Sequence, residues 1–208
     1  MKTIFGKKIG MSRVFTEDGT SLPVTVIKAG PCQVVQIKTS EKDGYSALKV
    51  GFEEIKPQRV NKPLTGVFKN AGVELHKYLR EIRLEQDATD INVGDSVKVD
   101  QFKVGDVVNV RGISKGLGFM GGVRRHGFAG GPLTHGQSDR LRAPGSIGQS
   151  SYPSRVLKGT RMGGRTGNKN VTIRNLKVAK VDVENNLICI VGAVPGKRNS
   201  FLRITGKN

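Results

Sequence analysis

Hydrophobic and polar positions alternate through most of residues 1–110 and again after residue 170. Ile9 to Phe15 and Leu22 to Lys28 flank Thr16-Glu17-Asp18-Gly19-Thr20, whose Asp-Gly pair is a strong hairpin signal. Val34 to Lys38 and Tyr45 to Phe52 flank Glu41-Lys42-Asp43-Gly44 and predict a second hairpin. Val-Gly-Asp occurs at 93–95 and at 104–106, each time before an alternating run, Ser96 to Val99 and Val107 to Val110. The repeat predicts one turn used twice ahead of two strands. Val171 to Leu176, Val178 to Val183 and Leu187 to Val191 extend the pattern, with Glu184-Asn185-Asn186 as a turn. Many short strands joined by glycine turns favour a closed barrel or a sandwich. One interruption is helical. Asn61 is an N-cap candidate, Pro63 sits in the first turn and Gly72 stands at the end.

Between these two regions the pattern stops. Leu117, Phe119, Val123, Phe128, Leu133 and Ile147 fall at no sustained period of 2 or 3.6. A segment like this cannot offset its ordering entropy by burial. Composition sharpens the contrast. Val and Ile number 37 against 13 Leu, which suits a pleated core. The chain carries 35 Lys and Arg against 17 Asp and Glu, a net charge of +18. Residues 1–110 contribute only +3 of it and residues 171–208 +5, whereas residues 111–170 contribute +10. That middle segment holds 15 of the 28 glycines, and Asp139 is its one acid. A protein this basic calls for a polyanionic partner, with nucleic acid ahead of an anionic membrane. Glycine at one position in four rules out the long basic amphipathic helix that a membrane surface takes. No apolar run approaches the roughly 18 residues of a membrane span, and the first residues lack the apolar stretch of a secretory signal. Cys32 and Cys189, far apart in an otherwise cysteine-free chain, read as free thiols of a cytosolic protein.

The candidate chemistry is binding rather than catalysis. Gly116-Leu117-Gly118-Phe119-Met120-Gly121 matches the glycine spacing of dinucleotide sites. Such a fold needs a long helix next, and Gly130-Gly131-Pro132 leaves room for a short one only. The glycines instead let backbone approach a phosphate chain closely. His126 and His135 have no cysteine or carboxylate cluster at ligand spacing, which argues against a metal, and no cofactor is expected. In a basic loop they suit phosphate bonding or base stacking. Arg outnumbers Lys by 8 to 3 in residues 111–170, and its planar fork favours close contact with phosphate.

At this point the motifs become familiar. Arg111-Gly112-Ile113-Ser114-Lys115-Gly116-Leu117-Gly118-Phe119-Met120-Gly121 resembles the signature of the family of large-subunit ribosomal protein number three, in its bacterial form. So do Arg125-His126-Gly127, Thr134-His135-Gly136 and Arg142-Ala143-Pro144-Gly145-Ser146-Ile147-Gly148. Outside the segment, Gly6-Lys7-Lys8-Ile9-Gly10-Met11, Asn61-Lys62-Pro63 and Gly192-Ala193-Val194-Pro195-Gly196 match too. Leu117 and Met120 stand where members often carry Lys and Gln, which removes one phosphate contact and one hydrogen-bonding side chain there.

The resemblance implies a mainly β fold: a β-barrel like those of translation factors, with a small helical insertion and a long, basic, glycine-rich extension. The body would span residues 1–111, with the insertion at about 60–80, and residues 171–208. The extension would span 112–170. It would thread into the 23S-type rRNA towards the peptidyl transferase centre, while the body sat near the 3′ domain and helped nucleate assembly. Partners would be that rRNA and neighbouring large-subunit proteins, in the cytoplasm, with no enzyme activity, no membrane and no homo-oligomer. The expected RNA contacts are Lys7, Lys8, Arg13, Lys115, Arg124, Arg125, His126, His135, Arg140, Arg142, Arg155, Lys158, Arg161, Arg165 and Lys169. Gln149-Ser150 matches a site that a glutamine methyltransferase modifies in some members, and residues 145–152 should form the far reversal of the extension. A β-barrel translation or assembly factor that binds RNA transiently is the alternative.

Overall fold

The computed structural model describes residues 2–84 and 91–207. The chain divides into two units, Met1–Ile113 with Asn170–Asn208, and Ser114–Lys169. The first unit begins with β1 (Thr3–Phe15), β2 (Ser21–Ala29), β3 (Cys32–Lys38), the single helical turn α1 (Ser40–Asp43) and β4 (Ala47–Glu54). It continues with α2 (Lys62–Ala71), β5 (His76–Arg83), β6 (Ser96–Val97) and β7 (Val107–Ile113). The second unit supplies β8 (Gly118–Met120), α3 (Gly122–His126) and β9 (Gly164–Thr166). The first unit then closes with β10 (Asn170–Asp182), β11 (Leu187–Val191) and β12 (Phe201–Gly206).

Six strands form a closed barrel in the order β1-β12-β7-β10-β11-β2, and every pair in it is antiparallel. Closure leaves these strands no open edge. Alternation fills the interior. Ile4 pairs with Ile204, Ile204 with Val110, and Ile27 with Ile188. All five are fully buried. A second sheet, in the order β5-β4-β3-β6, lies outside the barrel ladder. An aromatic cluster joins the two. Phe201 of β12 stands with its ring centroid 5.2 Å from Phe5, 4.8 Å from Tyr78 and 6.1 Å from Phe52. The pattern of alternation had pointed to most of these strands, but not to β5 or β12 and not to the division between two sheets.

The helix has the expected caps. The side chain of Asn61 accepts from the Leu64 N–H at 3.2 Å, and Gly72 ends the helix at φ 65°. Helical structure stops at Ala71, however, and within the span expected near 60–80 His76 to Arg83 is strand β5. The two Val-Gly-Asp repeats do form one turn twice. Gly94 and Gly105 lie at φ 97° and 89°. Asp95 Oδ2 accepts from Asn92 N–H at 2.8 Å, and Asp106 Oδ2 from Lys103 N–H at 3.0 Å. The strands after them differ. β7 runs seven residues, while β6 gives way after two to a 3-10 turn at Val99–Gln101. Residues 171–183, expected as two strands, form the single strand β10 with a register shift between Ile173 and Leu176. One extra residue on β10 there forms a bulge that interrupts the ladder without ending the strand. Cys32 and Cys189 are free thiols. Cys32 is buried against the Phe5 carbonyl, and that burial pushes its thiol up to about 12.

Ile204→Ala, which empties part of the barrel core, should cost about 2–5 kcal/mol in urea unfolding. Ile147→Ala, at a position 46% exposed in the second unit, should leave the midpoint unchanged.

Candidate nucleic-acid interface

The second unit, Ser114–Lys169, contains no buried residue. Phe119, Leu133 and Tyr152 are each 80% or more exposed. Its order comes from backbone bonds near its two ends. Ser114 N–H donates to the Lys169 carbonyl at 2.9 Å and Leu117 N–H to the Thr166 carbonyl at 2.9 Å, and β8 then pairs with β9. The five-residue α3 follows, too short for a dinucleotide site. Arg125 Nη1 lies 2.8 Å and His126 Nε2 3.0 Å from the Met162 carbonyl, so two side chains of α3 grip the returning segment just before β9. A Cβ on Gly164 would lie 2.5 Å from that Arg125 nitrogen, so a larger residue there would make the guanidinium shift. Beyond this clamp the chain is irregular. One loop closes where Gly131 N–H meets the Leu141 carbonyl at 2.9 Å. Another reversal brings Gly148 close to the Arg155 carbonyl, with Gln149 exposed inside it.

This geometry sorts the expected RNA contacts. Lys115, Arg124, His135, Arg140, Arg142, Arg155, Lys158, Arg161, Arg165 and Lys169 are all exposed. Arg124 and Arg142, distant in sequence, line one cleft of about 250 Å³ with Phe119 and Met120. Arg125 and His126 are half-buried and already bonded within the unit. On the barrel, Arg13 is exposed, but the other two basic candidates have internal work. Lys7 Nζ stands 2.7 Å from Glu53, which Lys77 also reaches at 3.3 Å. Lys8 Nζ donates to the carbonyls of Val194 and Gly196 at 3.0 and 3.2 Å. Segment charge counts cannot tell a cation spent on a neighbouring carbonyl from one facing solvent. They also passed over a basic group on the barrel wall, Arg111, Arg174, Arg203 and Lys207, which strand register brings together from three separate stretches.

A β-barrel body with a coreless, glycine-rich segment of exposed arginines defines a class of protein, one that binds a polyanion by fitting charge to its shape. Comparison with known proteins supplies the family. Residues 69–186 match the family model described as Ribosomal protein L3. The chain is 53% identical over 97% of its length to the large ribosomal subunit protein uL3 of Herpetosiphon aurantiacus, covering 94% of that protein. It is 55% identical over 98% of its length to the uL3 proteins of Chloroherpeton thalassium and Carboxydothermus hydrogenoformans, covering 98% and 96% of them. The chain belongs to the ribosomal protein L3 family. It is a structural protein of the ribosome and not an enzyme.

Glu53 gives a test of the Lys7 arrangement. Partial burial raises its carboxyl, but the bonds from Lys7 and Lys77 together outweigh that and hold it below the ordinary 4.5. A depressed carboxyl stabilises the fold above its unfolded value and loses that contribution as pH falls through the folded one. Glu53→Gln should therefore melt lower than wild type at neutral pH, by an equivalent of about 0.2–1 kcal/mol. The gap should close as pH drops below 4.5. A gap that persists in acid would mean the carboxylate is not what stabilises this corner.

Proposed function

We propose that this chain binds large-subunit rRNA directly as a stable constituent of the large ribosomal subunit, in the cytoplasm, and helps nucleate its assembly. In this reading the body sits near the 3′ domain of the rRNA, beside other large-subunit proteins. Residues 112–170 extend towards the peptidyl transferase centre. The observation that carries the reading is the second unit itself. Its residues 114–169 hold ten Lys and Arg against one acid and bury nothing. Such a segment has no folding role that its charge would serve, and rRNA phosphates give each arginine a fork-shaped partner. Glycine allows the backbone to pass between closely packed RNA helices, and the cations let those helices approach.

Binding of the purified protein to large-subunit rRNA should be steeply salt-dependent. If six to ten phosphates are neutralised, affinity falls by about 10³–10⁵ between 50 and 200 mM salt. Deleting residues 115–165 should flatten that slope, and an unchanged slope would move the binding surface to the body. A transient factor would wash off subunits in high salt, whereas a constituent stays.

Gln149 belongs to the same reading. Exposed in the uncharged stretch 145–152, its amide offers donors and an acceptor to a base, sugar or phosphate, and a glutamine methyltransferase would replace one donor hydrogen by apolar bulk. Gln149→Ala should leave the melting temperature of the free protein within about 1 °C of wild type, since surface changes of this kind fall within about 0.5 kcal/mol. The large-subunit peak of a mutant strain should nevertheless shrink in sucrose gradients. A large drop in melting temperature would place Gln149 in a packed core instead.

A further inference from the structure

Strand alternation builds a second cationic surface on the outside of the barrel. Ile204 and Val110 pair in register and are buried. The preceding residue of β12 and the following residue of β7, Arg203 and Arg111, pair in turn and therefore share the outer face. Like charges directly opposite on one sheet face repel, with Cβ atoms about 5 Å apart. Burial first, and Arg111 second, hold the Arg203 guanidinium below its usual range. The Arg203 Nε is buried and has no hydrogen-bond partner. Among the described residues no carboxylate forms an ion pair with Arg111, Arg174 or Arg203.

The irregularity in β10 adds to this surface. Its register shift between Ile173 and Leu176 places Arg174 on the same groove. Asn175, at φ 58°, donates its N–H to Asn109 Oδ1 at 3.0 Å and accepts from Lys207 Nζ at 3.2 Å. The resulting open groove of about 520 Å³ is lined by three arginines, one lysine, two asparagines and two threonines. No carboxylate and no apolar or aromatic side chain lines it.

We infer that this groove is a seat for the sugar–phosphate backbone of RNA, made wholly from barrel residues and additional to the basic extension. The inference rests on the reading of the chain as an rRNA-binding protein. A phosphate between Arg111 and Arg203, both of which line the groove, turns their repulsion into two attractions. The threonines and asparagines donate and accept, which suits phosphate oxygens and 2′-hydroxyls. The lining also sets what is not bound. Without aromatic rings there is no platform for stacked bases, so the groove follows the backbone rather than the sequence. Without an apolar anchor it lacks the centre on which protein partners concentrate their affinity.

A pair that is strained when free and satisfied when bound has an unusual signature under mutation. In the full-length protein, Arg111→Gln with Arg203→Gln should weaken binding to transcribed large-subunit rRNA by ten-fold or more at moderate salt. It should also lower the slope of log affinity against log salt by about 1–2. The melting temperature of the free variant should not fall, because a repulsion has been removed. Lys207→Gln, at the exposed end of the groove, should act in the same direction and lower the slope by about 1. Arg203→Lys, which keeps the charge and loses the fork, should recover the slope but only part of the affinity.

Unchanged affinity and slope in these variants would overturn the inference. If wild type binds rRNA and loses it on deletion of 115–165 alone, the proposed function stands and the groove reading fails. If wild type binds no rRNA, both fail. Inorganic phosphate separates the remaining source of the same chemistry. A phosphate-dependent rise in melting temperature that the arginine variants abolish, with no change in their RNA binding, would make the groove a free-anion site and sink the proposal. A photo-cross-linker at position 207 in assembled subunits should join RNA, and capture of a protein there would also overturn it.

Discussion

Strand β7 hydrogen-bonds to β12 along one edge and to β10 along the other, so barrel closure runs through it. Its residues serve three ends at once. Val108 and Val110 point into the core and are fully buried. Asn109 and Arg111 line the outer groove. Its last residue, Ile113, pairs with Asn170, so the ladder that closes the barrel also sets where the chain leaves the first unit and where it returns. A one-residue slip in this register would turn every inward side chain outward and carry the arginines inside. The apolar hoop of Ile4, Ile204 and Val110 prevents that, because a slip would expose all three and bury a guanidinium.

The second unit is held by a different economy. Without burial, it relies on a short ladder and on the Arg125 and His126 clamp to the Met162 carbonyl. These ties sit near its base, and the exposed arginines lie mostly beyond them. Charge of one sign without a core is costly to order alone. It becomes favourable when phosphates supply the missing attraction, which is why the same segment is a poor domain and a suitable RNA ligand.

The cations of the body show that formal charge and available charge are separate quantities. Lys7 and Lys8 carry full charges that Glu53 and two carbonyls already engage. Arg111 and Arg203 face each other on the groove, and among the described residues no carboxylate pairs with either. Only the second kind leaves binding free energy for a partner, because the first must break a bond before making one.

Local chemistry was legible in the sequence. The Asp-Gly hairpin, the paired Val-Gly-Asp turns and the Asn61 and Gly72 caps each depend on a few adjacent residues, and each formed as those residues dictate. The charge split between the body and residues 111–170 was visible by counting, because it needs no knowledge of who meets whom. What the sequence could not decide was partnership across long separations. β3, β4 and β6 read like any other strands of the body and β5 was not read as a strand at all; hydrogen bonding sets the four in a separate sheet, which Phe52 and Tyr78 join to the barrel through Phe201. The break expected between Leu176 and Val178 did not form, because β7 pairs with β10 as far as Lys177 and β11 takes over from Val178. Arg111, Arg174, Arg203 and Lys207 belong to three stretches of chain with nothing in common until β12, β7 and β10 align. Alternation fixes which face a residue takes within its own strand. Which residues then share that face is set by strand order and register, and those follow from the closed barrel as a whole.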